Sequence, residues 1–173
     1  MPGRSWMFEA VVRGLTSSYG HLGWKVANDS MFGDIAWLPR LTGDERTEAE
    51  DLAIATLQAG DPRAALTLGE AGCTRAIPAL LNMATSASTA PNVRLFAVRG
   101  LIQLDQGAGR AAAIEILRDS TIFRGDRREA IRVLAAHPDS DAETALEEAA
   151  ADADPYVRTR AAWALEEIRG PKG

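Results

Sequence analysis

The residues able to do chemistry in this chain are few and scattered. There are two histidines, His21 and His137, far apart in sequence, and one cysteine, Cys73. Zinc needs Cys and His at short, recurring spacings, and no such spacing occurs, so no metal ligand is assigned. Cys73 stands at the N-terminal edge of a helix, where a thiolate is mildly favoured, but it reads as a small structural residue. His137 precedes Pro138 after a helix and reads as a helix-end residue rather than a catalyst. The acidic pairs Glu147-Glu148 and Glu166-Glu167 point about 100° apart on a helix, which suits solvated faces and not a carboxylate dyad. There is no G-x-S-x-G, no P-loop and no G-x-G-x-x-G; Gly107-Ala108-Gly109 reads as a turn between helices. No catalytic residue and no cofactor is assigned, and the chain leans away from an enzyme.

Charge is more informative. With 24 acidic and 19 basic residues the net charge is −5, which disfavours nucleic acid, because phosphate neutralisation needs a basic surface. The signs are segregated. Eight arginines against five acids fall between Arg94 and Arg132, whereas Asp139 to Asp154 holds seven acids and no base. Such asymmetry steers association and predicts a protein partner, with a basic surface to meet the acidic stretch. A single cysteine excludes an internal disulfide and suits a reducing cytoplasm, the expected location. No apolar leader follows Met1, and no run approaches the ~18 apolar residues of a membrane span. The sequence says nothing of oligomeric state.

The elements that position these residues repeat. Arg63, Arg94, Arg127 and Arg158 recur at steps of 31, 33 and 31 residues. The last three copies read R-x-x-A-x-x-x-L: Arg94, Ala97, Leu101; Arg127, Ala130, Leu134; Arg158, Ala161, Leu165. Asp or Asn stands just before each Arg. The first copy departs, with Leu66 and Glu70 at the Ala and Leu positions. A fixed period of this size means stacked units that cannot bury their apolar faces alone.

Breakers divide the repeats into helix pairs: 44–59 with 61–70, 74–85 with 91–105, 108–119 with 125–136, and 140–151 with 154–169. No segment alternates with period 2. Pro78 falls in a first helical turn, where its missing N–H costs little, and Gly170-Pro171 ends the last helix. On the helix beginning near residue 91, Val93, Ala97, Leu101 and Leu104 lie on one stripe. The motif arginine sits at its edge, where its stem covers apolar surface and its guanidinium can reach the acidic cap of a neighbouring repeat. The motif arginines are therefore expected to be structural. Opposite the stripe lie Leu68, Arg99, Arg132 and Trp163, with Tyr156 on the side of Trp163. Arg and Trp are frequent interface hot spots, so Arg99, Arg132, Tyr156 and Trp163 are the expected partner-binding row.

The segments Asn92-Val93-Arg94-x-x-Ala97-x-x-x-Leu101 and Asp154-Pro155-x-Val157-Arg158-x-x-Ala161-x-x-x-Leu165 resemble the HEAT-like repeat superfamily, in particular its short bilin-lyase type. Leu68-Gly69-Glu70-Ala71-Gly72 followed by Ala76-Ile77-Pro78-Ala79-Leu80 is similar to that family's link between repeats. The resemblance implies a right-handed all-α solenoid of about four pairs over 44–169, with the second helix of each pair lining a concave face.

Residues 1–43 do not fit the repeat. They hold Trp6, Trp24, Trp37, Tyr19, Phe8 and Phe32 and are expected to form an N-terminal helical cap, with a ligand or partner site in the aromatics as the alternative; 170–173 is a tail. The function expected is non-enzymatic protein binding on the concave face, as a bacterial adaptor or an immunity-type inhibitor. The alternative that the resemblance implies is an enzyme or enzyme subunit, bilin lyase-like or DNA glycosylase-like.

Overall fold

A computed structural model of the chain describes residues 3–16, 34–86 and 88–170. Tyr19, His21, Trp24 and Phe32 lie outside them. Regular structure among the described residues is helical throughout, with no strand. Helix α1 is Trp6–Thr16, and a 3-10 turn occupies Ile35–Arg40. Four pairs follow: α2 (Gly43–Gln58) with α3 (Pro62–Glu70), α4 (Ile77–Thr85) with α5 (Pro91–Leu104), α6 (Gln106–Arg118) with α7 (Arg124–Ala136), and α8 (Ser140–Ala149) with α9 (Pro155–Arg169). A short 3-10 turn, Thr74–Ala76, leads into α4. Each helix packs on its mate and on its counterpart in the next pair, so the molecule is an all-α solenoid. No helix among the described residues is long and apolar enough to cross a membrane.

Local chemistry explains most boundaries. The carboxylates of Asp61, Asp105, Asp139 and Asp154 accept hydrogen bonds from the N–H groups of Arg63, Ala108, Ala142 and Tyr156 at 2.8–3.0 Å, satisfying donors that a helix start leaves open. Pro78 lies in the first turn of α4, and Gly170 closes α9 at φ +73°. The Asp or Asn before each motif arginine is of the type that marks a helix start, and two such readings need correction. Asn92 and Asp126 cap nothing: they lie inside the first turns of α5 and α7, which follow Ala90 and Phe123 without a side-chain cap. Gly107-Ala108-Gly109 is not a turn. The Asp105 cap starts α6 at Gln106, and the glycines belong to its first turns.

The core runs the length of the array. Ala97, Ala130 and Ala161 are fully buried, and so are Leu101 and Leu134; Leu165 is 8% exposed. The motif alanines bring backbones together while the leucines fill the next layer. At the first end, Phe8, Val11 and Leu15 of α1 join Ile35, Leu38 and Leu41 in that same core. Helix α1 rests on α2, and the 3-10 turn Ile35–Arg40 rests on both α1 and α3. Trp6 and Trp37 meet edge to face with centroids 4.8 Å apart.

The second helices approach most closely between α3 and α5. A Cβ on Gly100 would stand 2.4 Å from the Ala65 carbonyl oxygen, and one on Gly69 would stand 2.9 Å from the Gly100 Cα. Six residues past the motif arginine, the first two copies therefore carry glycine, whereas the later two carry Val133 and Ala164.

Two substitutions test this packing by urea denaturation. Leu134→Ala removes a fully buried side chain from a middle repeat and should cost roughly 2–5 kcal/mol. Gly100→Ala should cost about 1–3 kcal/mol, because the new methyl meets backbone that cannot rotate away. An unchanged midpoint for either variant contradicts the packing described.

Candidate functional site

The motif arginines occupy the joints. Arg63, Arg94 and Arg127 are 7%, 8% and 4% exposed. Arg94 Nε donates to the Ala84 carbonyl at 3.1 Å, and Arg127 Nε donates to the Leu117 carbonyl at 2.8 Å. Both acceptors lie near the C-terminus of the first helix of the same pair, where carbonyls lack intrahelical partners. Arg127 also forms a fork to Asp152 of the following pair, with Nη1 at 3.3 Å from Oδ1. The expected reach to a neighbouring repeat's acid is thus realised by Arg127. Arg63 instead pairs with Asp61 of its own helix start. Arg158 is exposed and donates to the Asp152 and Ala153 carbonyls.

A second arginine hub escaped the sequence reading. Arg46 pairs with Glu50 one turn along α2 and donates to the carbonyls of Leu38, at 2.6 Å, and Ala71. It ties the first 3-10 turn, α2 and the end of α3 together. Glu50 lies beside Cys73, whose thiol is pushed up by burial and then by that carboxylate. The buried thiol is therefore kept protonated, the reverse of what an activated cysteine needs. His137 ends α7, and its Nδ1 lies 3.2 Å from Gln106 Nε2.

On the second-helix side the expected row divides. Leu68 is fully buried, because α3 is covered by α5 and by the 3-10 turn Ile35–Arg40; it belongs to the core and not to a ridge. Arg99 and Arg132 are both exposed and line one open groove between α5 and α7, of about 540 Å³. Arg132 also lines the next groove, between α7 and α9, of about 380 Å³, together with Trp163. Trp163 is 55% exposed, and Tyr156 is half-buried. Arg99, Arg132 and Trp163 are thus contiguous across three helices, and Tyr156 joins them through arginines that the sequence reading missed.

Those arginines are Arg124, Arg128 and Arg160. Arg124 and Arg160 stand over the Tyr156 ring at 5.6 and 5.4 Å, and Arg160 stands over Trp163 at 5.0 Å. Arg128 Nη1 donates to Tyr156 Oη at 3.3 Å, which lowers the Tyr156 pKa. Spacing held the signal: Arg124, Arg128 and Arg132 are four apart, as are Tyr156 and Arg160, and such residues share a helix face. Glu129 sits among them. Burial raises its pKa, but hydrogen bonds from Arg132 and Arg128 outweigh that and hold the carboxyl low.

The acidic stretch is differently engaged from what its composition predicts. Asp139 pairs with Arg110, Glu148 with Arg118, Asp152 with Arg127, and Glu143 and Glu147 with Arg169. Five of the seven carboxylates are thus paired with arginines of neighbouring helices, while Asp141 and Asp154 make no ion pair among the described residues. No cluster of three or more His, Cys, Asp or Glu suited to a metal ion occurs among the described residues.

Comparison with known proteins agrees with this architecture. Residues 123–173 match the family model for HEAT repeats, and residues 63–86 match that for the PBS lyase HEAT-like repeat. The chain carries repeats of the HEAT-like superfamily. A search of curated proteins finds no match.

The joints give a graded prediction. Arg127→Ala strands Asp152 and the Leu117 carbonyl and should cost about 3 kcal/mol, whereas Arg158→Ala, at an exposed site, should cost under about 1 kcal/mol. Asp152 supplies the pH dependence. Its carboxyl is held low chiefly by the Arg127 hydrogen bond. Stability from a carboxyl lowered in the fold is fully present above its unfolded pKa of about 3.9 and is lost as pH falls through the folded value. Asp152→Asn should therefore destabilise the protein at neutral pH and flatten the fall in stability below about pH 4. Equal losses for Arg127→Ala and Arg158→Ala in urea would contradict the assignment.

Proposed function

We propose that this chain is a protein-binding module that receives its partner on the side lined by α3, α5, α7 and α9. Arg99, Arg132, Tyr156 and Trp163 form the contact row, extended by Arg124, Arg128 and Arg160. The observation that carries this reading is the exposed Trp163, held against Arg160 beside a groove shared with Arg132. Trp6 and Phe123 are exposed as well; what sets Trp163 apart is the arginine cluster and the groove beside it, since Trp, Tyr and Arg are the side chains that dominate interface energetics. The close approach of α3 and α5 draws the second-helix row together, which supports a concave shape on this side. The repeat architecture further supports an adaptor or an immunity-type inhibitor, by analogy of fold.

The test is capture of the native partner from the source cell. The double variant Arg132→Glu/Trp163→Ala should keep its helical circular dichroism and its melting temperature, since both residues are exposed. It should lose capture of a partner that the parent retains. Undiminished capture by the folded double variant would refute the reading.

A further inference from the structure

The second-helix face has an unbalanced charge, and the imbalance identifies the chemistry of its occupant. Among the described residues, Arg99, Arg124 and Arg160 make no ion pair; of the exposed arginines elsewhere, Arg75, Arg118 and Arg169 each hold a carboxylate, whereas Arg40, over Trp37, and Arg158, on backbone carbonyls, hold none. The first three hold their guanidiniums over rings instead: Arg99 over Phe96 at 5.7 Å, Arg124 over Tyr156, and Arg160 over Tyr156 and Trp163. A guanidinium held over an aromatic face has its charge attracted by the ring while its N–H groups stay available for carboxylate oxygens. Such donors are oriented before the ligand arrives, so less conformational freedom is lost on binding.

We propose that the occupant of this face is an acidic, extended segment of a partner protein. Its carboxylates are taken by Arg99, Arg132 and Arg160, and an apolar side chain seats between Ile131 and Trp163. The proposal rests on the protein-binding reading given above and specifies the partner's chemistry. One feature sets a peptide apart from nucleic acid. Glu129 and Glu167 line the same groove as Arg132 and Trp163. A continuous row of phosphates would meet those carboxylates. A peptide can instead alternate, placing its acids at the arginines and neutral side chains beside the glutamates. Arg132 walls both grooves, so it is the point that a chain crossing from α5 to α9 must pass.

The experiment is fluorescence anisotropy on the full chain with a short labelled Glu/Asp-rich peptide carrying a central Leu. A Lys-rich peptide and a short single-stranded oligonucleotide serve as comparisons, each measured at low and at physiological salt. The acidic peptide should bind, and binding should weaken with salt. Arg132→Glu should weaken it at least about tenfold, as expected for losing a central charge contact. Glu129→Gln, which frees Arg128 and Arg132 from a competing carboxylate, should tighten it; a purely structural role for this cluster would produce no gain. Binding of the Lys-rich peptide instead, tighter binding of the oligonucleotide, or self-association of the chain abolished by Arg132→Glu would each overturn the proposal. If the acidic peptide fails to bind while Arg132→Glu/Trp163→Ala still loses the native partner, the face binds a protein of other chemistry, and only this inference falls. If the acidic peptide binds the parent while the double variant keeps its native partner, the proposed function falls and this inference with it.

Discussion

The last carbonyls of an α-helix have no partner within it, and in a stack of short helices those ends are buried rather than open to water. The remaining architecture depends on how that deficit is met. In the second and third pairs a guanidinium from the second helix reaches across to the end of the first, through Arg94 to Ala84 and through Arg127 to Leu117. The same cation then faces the next unit. Arg127 takes Asp152, and Asp119, held low first by Thr121, also feels Arg94. One side chain thereby satisfies a backbone end, fixes the angle within a pair and registers the following pair. The 31- to 33-residue period is the sequence trace of that geometry.

Much of this is visible in the sequence because it is periodic. The helix pairs appear within a few residues of their places, since Asp caps, Pro at first turns and the apolar stripe all act locally. What misleads is chemistry that depends on distant neighbours. Asn92 and Asp126 have the right type for caps, but Ala90 and Phe123 occupy the cap positions. Gly107 and Gly109 look like turn residues. Asp105 places them in a helix, and at Gly109 a Cβ would come within 2.7 Å of Ile102. Leu68 has the ridge position by arithmetic and a buried position in fact, because helical angles know nothing of the cover over α3.

Charge shows the same division. A run of seven acids without a base suggests an open electrostatic surface. The structure brings Arg110, Arg118, Arg127 and Arg169 to it from three other helices, so four of its seven charges are offset. On the second-helix side, Arg99, Arg124, Arg128 and Arg132 belong to the stretch where arginines outnumber acids, but composition does not separate the paired from the unpaired. That side holds three cations stacked on rings without carboxylates. Net charge by segment marks the basic stretch that holds Arg99 and Arg124 but misses Arg160, and side-chain geometry is what shows which charges stay unpaired.

The glycine contact also makes the array mechanically uneven. Where Gly69 meets Gly100 the backbones of α3 and α5 touch, and two helices in backbone contact resist sliding and splaying. At the next junction Val133 stands in that register, so α5 and α7 are held apart by a side chain with an open groove between them. That junction carries Arg99 on one wall and Arg132 on the other. The spacing of the helix backbones at that junction is thus also the spacing of two exposed cations, so the size of the side chain at position 133 sets how far apart those two charges stand.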